Sequence, residues 1–145
     1  MERQKLLTLL LILIYVIVII HGAAEWFYLY WLFPWFDIMM HFLGGVWVGL
    51  AVLWLVYYSG YVPVPRKTKS FAFMLCLGLV GVVGLAWEAY EFITRILLHA
   101  PLFPDYAADT TLDMIMDLLG AIVGFWIFSG IAPFAATPQV QTTAQ

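Results

Sequence analysis

Seven residues of this chain have the types and spacings to hold a metal ion: Asp37, His41, Glu88, Glu91, Asp109, Asp113 and Asp117. Asp37 and His41 are four residues apart, and Asp109, Asp113 and Asp117 repeat every four, so on helices each set shares a face. Each step of four drifts by about 40°, which makes the three aspartates one slightly skewed stripe. Glu88 and Glu91 are three apart, and Arg95 follows Glu91 by four. Carboxylates with a single imidazole suit Mg²⁺, Mn²⁺, Ca²⁺ or Zn²⁺, with geometry deciding among them. An ion held this way could neutralise a phosphate. The same residue types could instead pass protons or cations.

Other chemistries are poorly represented. No Ser-His-Asp arrangement, phosphate-binding P-loop, H-E-x-x-H or ferritin-type Glu-x-x-His accompanies the acids. The one cysteine, Cys76, sits in an apolar run and has no intrachain partner, so neither a disulfide framework nor a cysteine-based zinc site can form. Asparagine is absent, and with it any N-glycosylation acceptor.

The elements that must position these residues follow from hydropathy. The 145 residues are 65% hydrophobic and 10% charged, against about 45–50% and about 25% in a soluble domain. A core of this length cannot hide so much apolar surface, so lipid must take it. Four runs approach the roughly 20 helical residues that cross a hydrocarbon slab. They cover about residues 6–24, 38–58, 71–89 and 112–131. Lipid offers the backbone no hydrogen bonds, and the alternating pattern of a membrane barrel is absent, so the expected fold is all-α. A proline- and cation-bearing stretch, 58–70, and a proline-broken one, 99–106, read as loops. Trp26–Phe36 is an aromatic segment suited to the headgroup region. Residues 1–131 thus form one polytopic four-span domain, and residues 132–145 are expected to be a polar cytoplasmic tail.

Orientation follows from the cations. Arg3 and Lys5 precede the first span, and Arg66, Lys67 and Lys69 lie between the second and third. Two crossings separate the groups, so both fall on one side, the cytoplasm by the positive-inside rule, and the topology is N-in/C-in. Eight acids then lie toward the outer face with Arg95 as their sole cation, and only Glu2 lies inside. Asp117 is eight residues beyond Asp109, about 12 Å deeper along the helix axis. An acid at that depth costs roughly 2.5–3.5 kcal/mol unless it faces the bundle, water or a partner. Pro34 suits a first helical turn and puts Asp37 where the helix dipole favours an anion. His21, Glu25, His99 and Asp105 read as interfacial. Gly45/Gly49 and Gly120/Gly124 form GxxxG patterns and Gly78, Gly81 and Gly84 recur every three, all read as packing. A rival reading of the first span is a secretory signal peptide, from basic Arg3/Lys5, an apolar core and Gly22-Ala23-Ala24.

Three segments in order resemble a known family. They are Phe36-Asp-Ile-Met-Met-His-Phe-Leu-Gly-Gly45, Trp87-Glu-Ala-Tyr-Glu-Phe92 and Ala108-Asp-Thr-Thr-Leu-Asp-Met-Ile-Met-Asp-Leu-Leu-Gly-Ala121. Together they resemble the YjdF-type family of bacterial inner-membrane proteins, and more distantly VanZ-like proteins associated with teicoplanin resistance. The likeness covers about residues 35–125 and implies a plasma-membrane location. It assigns no activity. The matched positions are Asp37, His41, Glu88, Glu91, Asp109 and Asp113, while Asp117 rests on depth alone.

Three functional readings remain open from sequence. The first is an outward-facing divalent-cation site that binds or hydrolyses a phosphate-bearing or lipid-linked substrate. The second is a cation- or proton-coupled transport element, which with four spans would need an oligomer. The third is a structural or accessory subunit whose polar cluster holds helices together. Membrane lipid is the expected partner and nucleic acid is not.

Overall fold

The computed structural model describes residues 2–62, 68–99 and 105–131. Arg66, Lys67, parts of both predicted loops and the predicted tail 132–145 lie outside the described residues. The described residues form five helices: α1 (Glu2–Trp26), α2 (Leu29–Leu32), α3 (Trp35–Tyr58), α4 (Lys69–Leu97) and α5 (Tyr106–Ile131). No strand occurs among the described residues. All but α2 are long and apolar enough to cross a membrane.

Local signals set the helix ends. Tyr28 adopts a left-handed conformation, φ 56°, which turns the chain after α1. Pro34 caps α3 without needing the N–H it lacks. Thr68 caps α4 by accepting the Phe71 N–H at 3.3 Å, and Gly60, φ 82°, lets the chain turn away after α3. The helices outrun the apolar windows, α4 by eight residues at its far end (Leu97 against 89). Hydropathy locates the hydrocarbon, whereas backbone hydrogen bonding continues through polar residues into the interface.

Successive long helices run antiparallel. Trp54 at the end of α3 donates to the Arg3 carbonyl at 3.4 Å, and Lys69 at the start of α4 lies 5.0 Å from the Trp126 ring near the end of α5. The described cations Arg3, Lys5 and Lys69 thus share one end, and Arg95 and the acids other than Glu2 the other.

The tightest seam joins α3 to α5. A Cβ on Gly120 would lie 2.7 Å from the Val46 nitrogen, and one on Gly124 2.8 Å from the Val46 carbonyl oxygen. A Cβ on Gly45 would meet the Asp117 main chain, 2.8 Å from its carbonyl carbon. Both GxxxG patterns are therefore contact surfaces, as small residues in membrane helices often are. The α4 series is different. A Cβ at Gly84 would meet the Asp117 carboxylate and Met114, whereas Gly78 faces open space, so the every-third-residue pattern is not one packing face. Helical rotation by about 100° per residue carries Gly78 away from α5.

Toward the basic end the bundle closes on Leu50, Leu53, Ala72, Cys76, Phe125 and Phe128. α1 reaches this core through buried Leu6 and Leu10, and Trp47 donates to the Leu10 carbonyl at 3.0 Å. Most of α1 is otherwise exposed, as expected of a lipid-facing surface. No Cα of α1 comes within 8 Å of one in α4 among the described residues, which leaves a gap on that side of the bundle.

Candidate metal centre

The site is built around one imidazole. α3 begins at Trp35, so Asp37 falls in its first turn and His41 one turn deeper. His41 Nε2 lies 3.9 Å from carboxylate oxygens of Asp37, Glu88 and Asp113 alike. Its Nδ1 lies 3.5 Å from Asp117 Oδ1. Asp113 and Asp117 come from α5, one turn apart on the face held against α3 by Gly120 and Gly124. Glu88 arrives from α4. Four carboxylates from three helices therefore converge on one ring.

His41, Glu88, Asp113 and Asp117 are all buried, Asp113 most deeply with 2% of its surface exposed. Asp37 is the wet member, with 32% of its side chain accessible. Thr110 donates to Glu88 Oε2 at 2.7 Å. Glu88 Oε1 and Asp113 Oδ1 are buried without a hydrogen-bond partner. An unsatisfied buried acceptor costs about 1–3 kcal/mol, more when charged, so both oxygens call for an electropositive partner.

Charge makes the same demand. With all four acids ionised and the imidazole protonated, the cluster would carry a net charge of about −3. Like charges 4 Å apart repel by about 4 kcal/mol per pair at an effective dielectric of 20. Two outcomes relieve this: protons on some carboxylates, or a bound cation. The spacing accommodates the second. Ligand atoms of Asp37, His41 and Asp113 all lie within 4.8 Å of one another. Two donors on opposite sides of one ion stand about 4–5 Å apart for bonds of 2.0–2.6 Å. A His/Asp/Asp group that could hold a metal ion is thus present, and Glu88 and Asp117 flank it.

The other two residues singled out from sequence lie apart from the ring. Glu91, one turn beyond Glu88, borders a cavity at the acidic end with His21, Asp37 and Arg95. Asp109 is exposed in the first turn of α5. Its place in the four-residue stripe does not bring it inward, because each step rotates by about 40° and α5 is not enclosed at its start.

Sequence reasoning missed two groups and underrated a third. Thr110 orients Glu88, and no spacing rule links residues on different helices. Tyr30, in the aromatic segment, sits 2.7 Å from His21 Nδ1 through its hydroxyl, and both line the cavities beside His41. From sequence alone His21 reads as interfacial. Burial, then the charges of Asp37, Glu25 and Glu91, push the Tyr30 hydroxyl well above its ordinary pKa, so it stays protonated and able to donate. Arg95 stacks over the Tyr106 ring at 5.7 Å, at the same end.

No curated protein and no solved structure matches the chain. One family does, over residues 2–133, and its description carries no activity. Four spanning helices and a match over nearly the full length agree: this chain belongs to the family described as predicted membrane protein (DUF2238).

Proposed function

We propose that the His41 cluster is a resident divalent-metal centre that engages a phosphate-bearing lipid or lipid-linked substrate. The carrying observation is the convergence of Asp37, Glu88, Asp113 and Asp117 on His41 with two acceptor oxygens left unsatisfied. A mixed imidazole and carboxylate set keeps Mg²⁺, Mn²⁺, Ca²⁺ and Zn²⁺ in play, and the imidazole weights the choice toward Mn²⁺ or Zn²⁺. The ion would supply positive charge to a phosphoryl oxygen. Asp37, nearest to water, would leave a side open to that ligand. By the positive-inside rule the acidic end faces outward, and the family resemblance implies a bacterial plasma membrane.

A proton- or cation-conducting element is the second reading, since buried acids and a histidine are its usual parts. It is disfavoured by what lies below. Beneath Asp117 the bundle is filled by Val46, Leu50, Leu53, Phe125 and Phe128, with no described acid before the basic end. A relay would have to cross that apolar plug.

Metal analysis of purified protein tests the proposal. Wild type should carry about one equivalent of one divalent ion, and Asp113→Asn and His41→Ala should lose it. Wild type without stoichiometric metal after growth in each of the four ions refutes it.

A further inference from the structure

His41 offers two ring nitrogens, and the four carboxylates do not divide between them equally. Oxygens of Asp37, Glu88 and Asp113 stand 3.9 Å from Nε2, whereas Asp117 approaches Nδ1, at 3.5 Å. The orphaned oxygens belong to the first set. Glu88 Oε1, buried without a hydrogen-bond partner, is the atom that faces Nε2, and Asp113 Oδ1 is the second oxygen of another carboxylate that faces it. Both side chains are more than nine-tenths buried, at 8% and 2% accessible. The donors that stand close enough together to share one ion are Asp37, His41 and Asp113, and Asp117 is not among them. Asp117 has a niche of its own. A Cβ on Gly84 would meet its Oδ2 and lie 3.1 Å from Met114 Sδ, and a Cβ on Gly45 would lie 2.9 Å from its Cα. The two glycines thus leave room for a carboxylate beside the ring and clear of the other acids.

We infer that Asp117 is a positioning residue and not a ligand: it accepts the Nδ1–H of His41 and thereby presents Nε2 to an ion held among Asp37, Glu88 and Asp113. The inference rests on the metal-centre reading and divides that centre into ligands and support. One ion can bond only one nitrogen of a ring, because the two point apart, and the hydrogen bond made by one nitrogen decides which is metallated. An ion on Nδ1 would leave a single Nε2–H for three carboxylates, so at least one orphaned oxygen would stay unsatisfied. An ion on Nε2 lies where those oxygens converge and frees the Nδ1–H for Asp117. Metal-bound histidines nearly always donate their other N–H to a carboxylate, a carbonyl or water, which fixes tautomer and ring orientation. The depth of Asp117 also follows. It stands one turn further along α5 than Asp113 because the second ring nitrogen faces that turn.

The test uses full-length protein carrying His21→Gln and His99→Gln, which leaves His41 as its only imidazole. The protein is labelled with ¹⁵N-histidine and titrated with ¹¹³Cd²⁺ in micelles, followed by nuclear magnetic resonance and calorimetry. The cadmium coupling should appear on Nε2, with a proton on Nδ1. Asp117→Asn has nearly the same shape and should still take up about one equivalent, about 10–100-fold more weakly. Its coupling should stay on Nε2 while the Nδ1 resonance moves. Asp113→Asn should lose the ion in the same titration. Coupling on Nδ1, or loss of cadmium from Asp117→Asn as complete as from Asp113→Asn, makes Asp117 a ligand and overturns the inference while the centre stands. Wild-type affinity and an unmoved Nδ1 resonance in Asp117→Asn reduce the residue to packing and overturn it as well. The coupling in the chain with an intact cluster is read without any change at residue 117, so misfolding of Asp117→Asn leaves a decision in hand. Absence of cadmium from that chain also overturns the inference, and metal analysis with the four ions then tells whether the centre itself survives.

Discussion

Gly120→Ala should both destabilise the bundle and spoil the metal centre, although residue 120 touches no ligand atom. The new methyl would sit 2.7 Å from the Val46 nitrogen and 3.0 Å from the Gly45 carbonyl carbon. Both are main-chain atoms, which cannot rotate away. Ordinary contact begins near 3.4 Å, so α3 and α5 must part by at least about 0.7 Å. Overpacking of this kind costs about 1–3 kcal/mol, or about 5- to 150-fold in the folded-to-unfolded ratio. Asp113 and Asp117 ride on α5 and His41 on α3, so the same displacement enters the ligand spacing. Metal–ligand distances tolerate about 0.2 Å, and the ion should therefore bind at least about tenfold more weakly. The assay is reversible unfolding in mixed micelles beside metal titration, with Gly78→Ala as the control. Nothing lies within 4 Å of a Cβ at Gly78, so that variant should be neutral or gain up to about 1 kcal/mol of helix propensity. If Gly120→Ala unfolds no more readily than Gly78→Ala, the close backbone approach of α3 and α5 is wrong.

Three further outcomes are expected. Saturating the preferred divalent ion to 100 times its Kd should stabilise wild type by about 2.7 kcal/mol, read as a rise in unfolding temperature; Asp113→Asn should show no such rise. Thr110→Val removes the donor to Glu88 Oε2 with little change of shape, and calorimetric titration should find metal affinity lower by about 10–100-fold at unchanged helix content. Tyr30 holds its proton in the folded protein past the ordinary tyrosine value of about 10. Its contribution to stability is then complete below about pH 10 and is lost as pH rises above it. Difference absorbance between wild type and Tyr30→Phe at about pH 10.5 should show no tyrosinate from this position.

Much of this arrangement was legible in the sequence, at the level where a helix has a known period. Asp37 and His41 share a face because four residues nearly complete a turn, and they face each other at 3.9 Å. Depth along a helix is also countable, and it sets Asp117 about 12 Å below Asp109, at the level where it must face the bundle. Rotation about the axis is what counting leaves out. Asp109 belongs to the same stripe as Asp113, yet one is exposed and the other is 2% exposed. Gly78 and Gly84 belong to one repeat, yet only Gly84 meets a neighbour. Which face of α4 or α5 turns inward depends on where the partner helix can come closest, a property of two segments and not of either. Tyr30 and His21 were hidden for another reason. Tyr30 sits among aromatic residues in the one-turn helix α2, where no periodicity exists to read, and His21, on α1, meets it only across the turn between them.

The acidic stripe on α5 also bears on how the chain enters the bilayer at all. Asp113 and Asp117 each oppose partition of an isolated segment into lipid by roughly 2.5–3.5 kcal/mol. Both are buried against α3 and α4 once the bundle has formed. α5 follows α3 and α4 in the chain, so when it emerges its shelter already stands, with His41 and Glu88 in place to receive it. Translocation and assembly then cease to be separate stages for this segment. α5 is admitted as a partner of earlier helices, and the residues that form the site also decide whether its crossing is made.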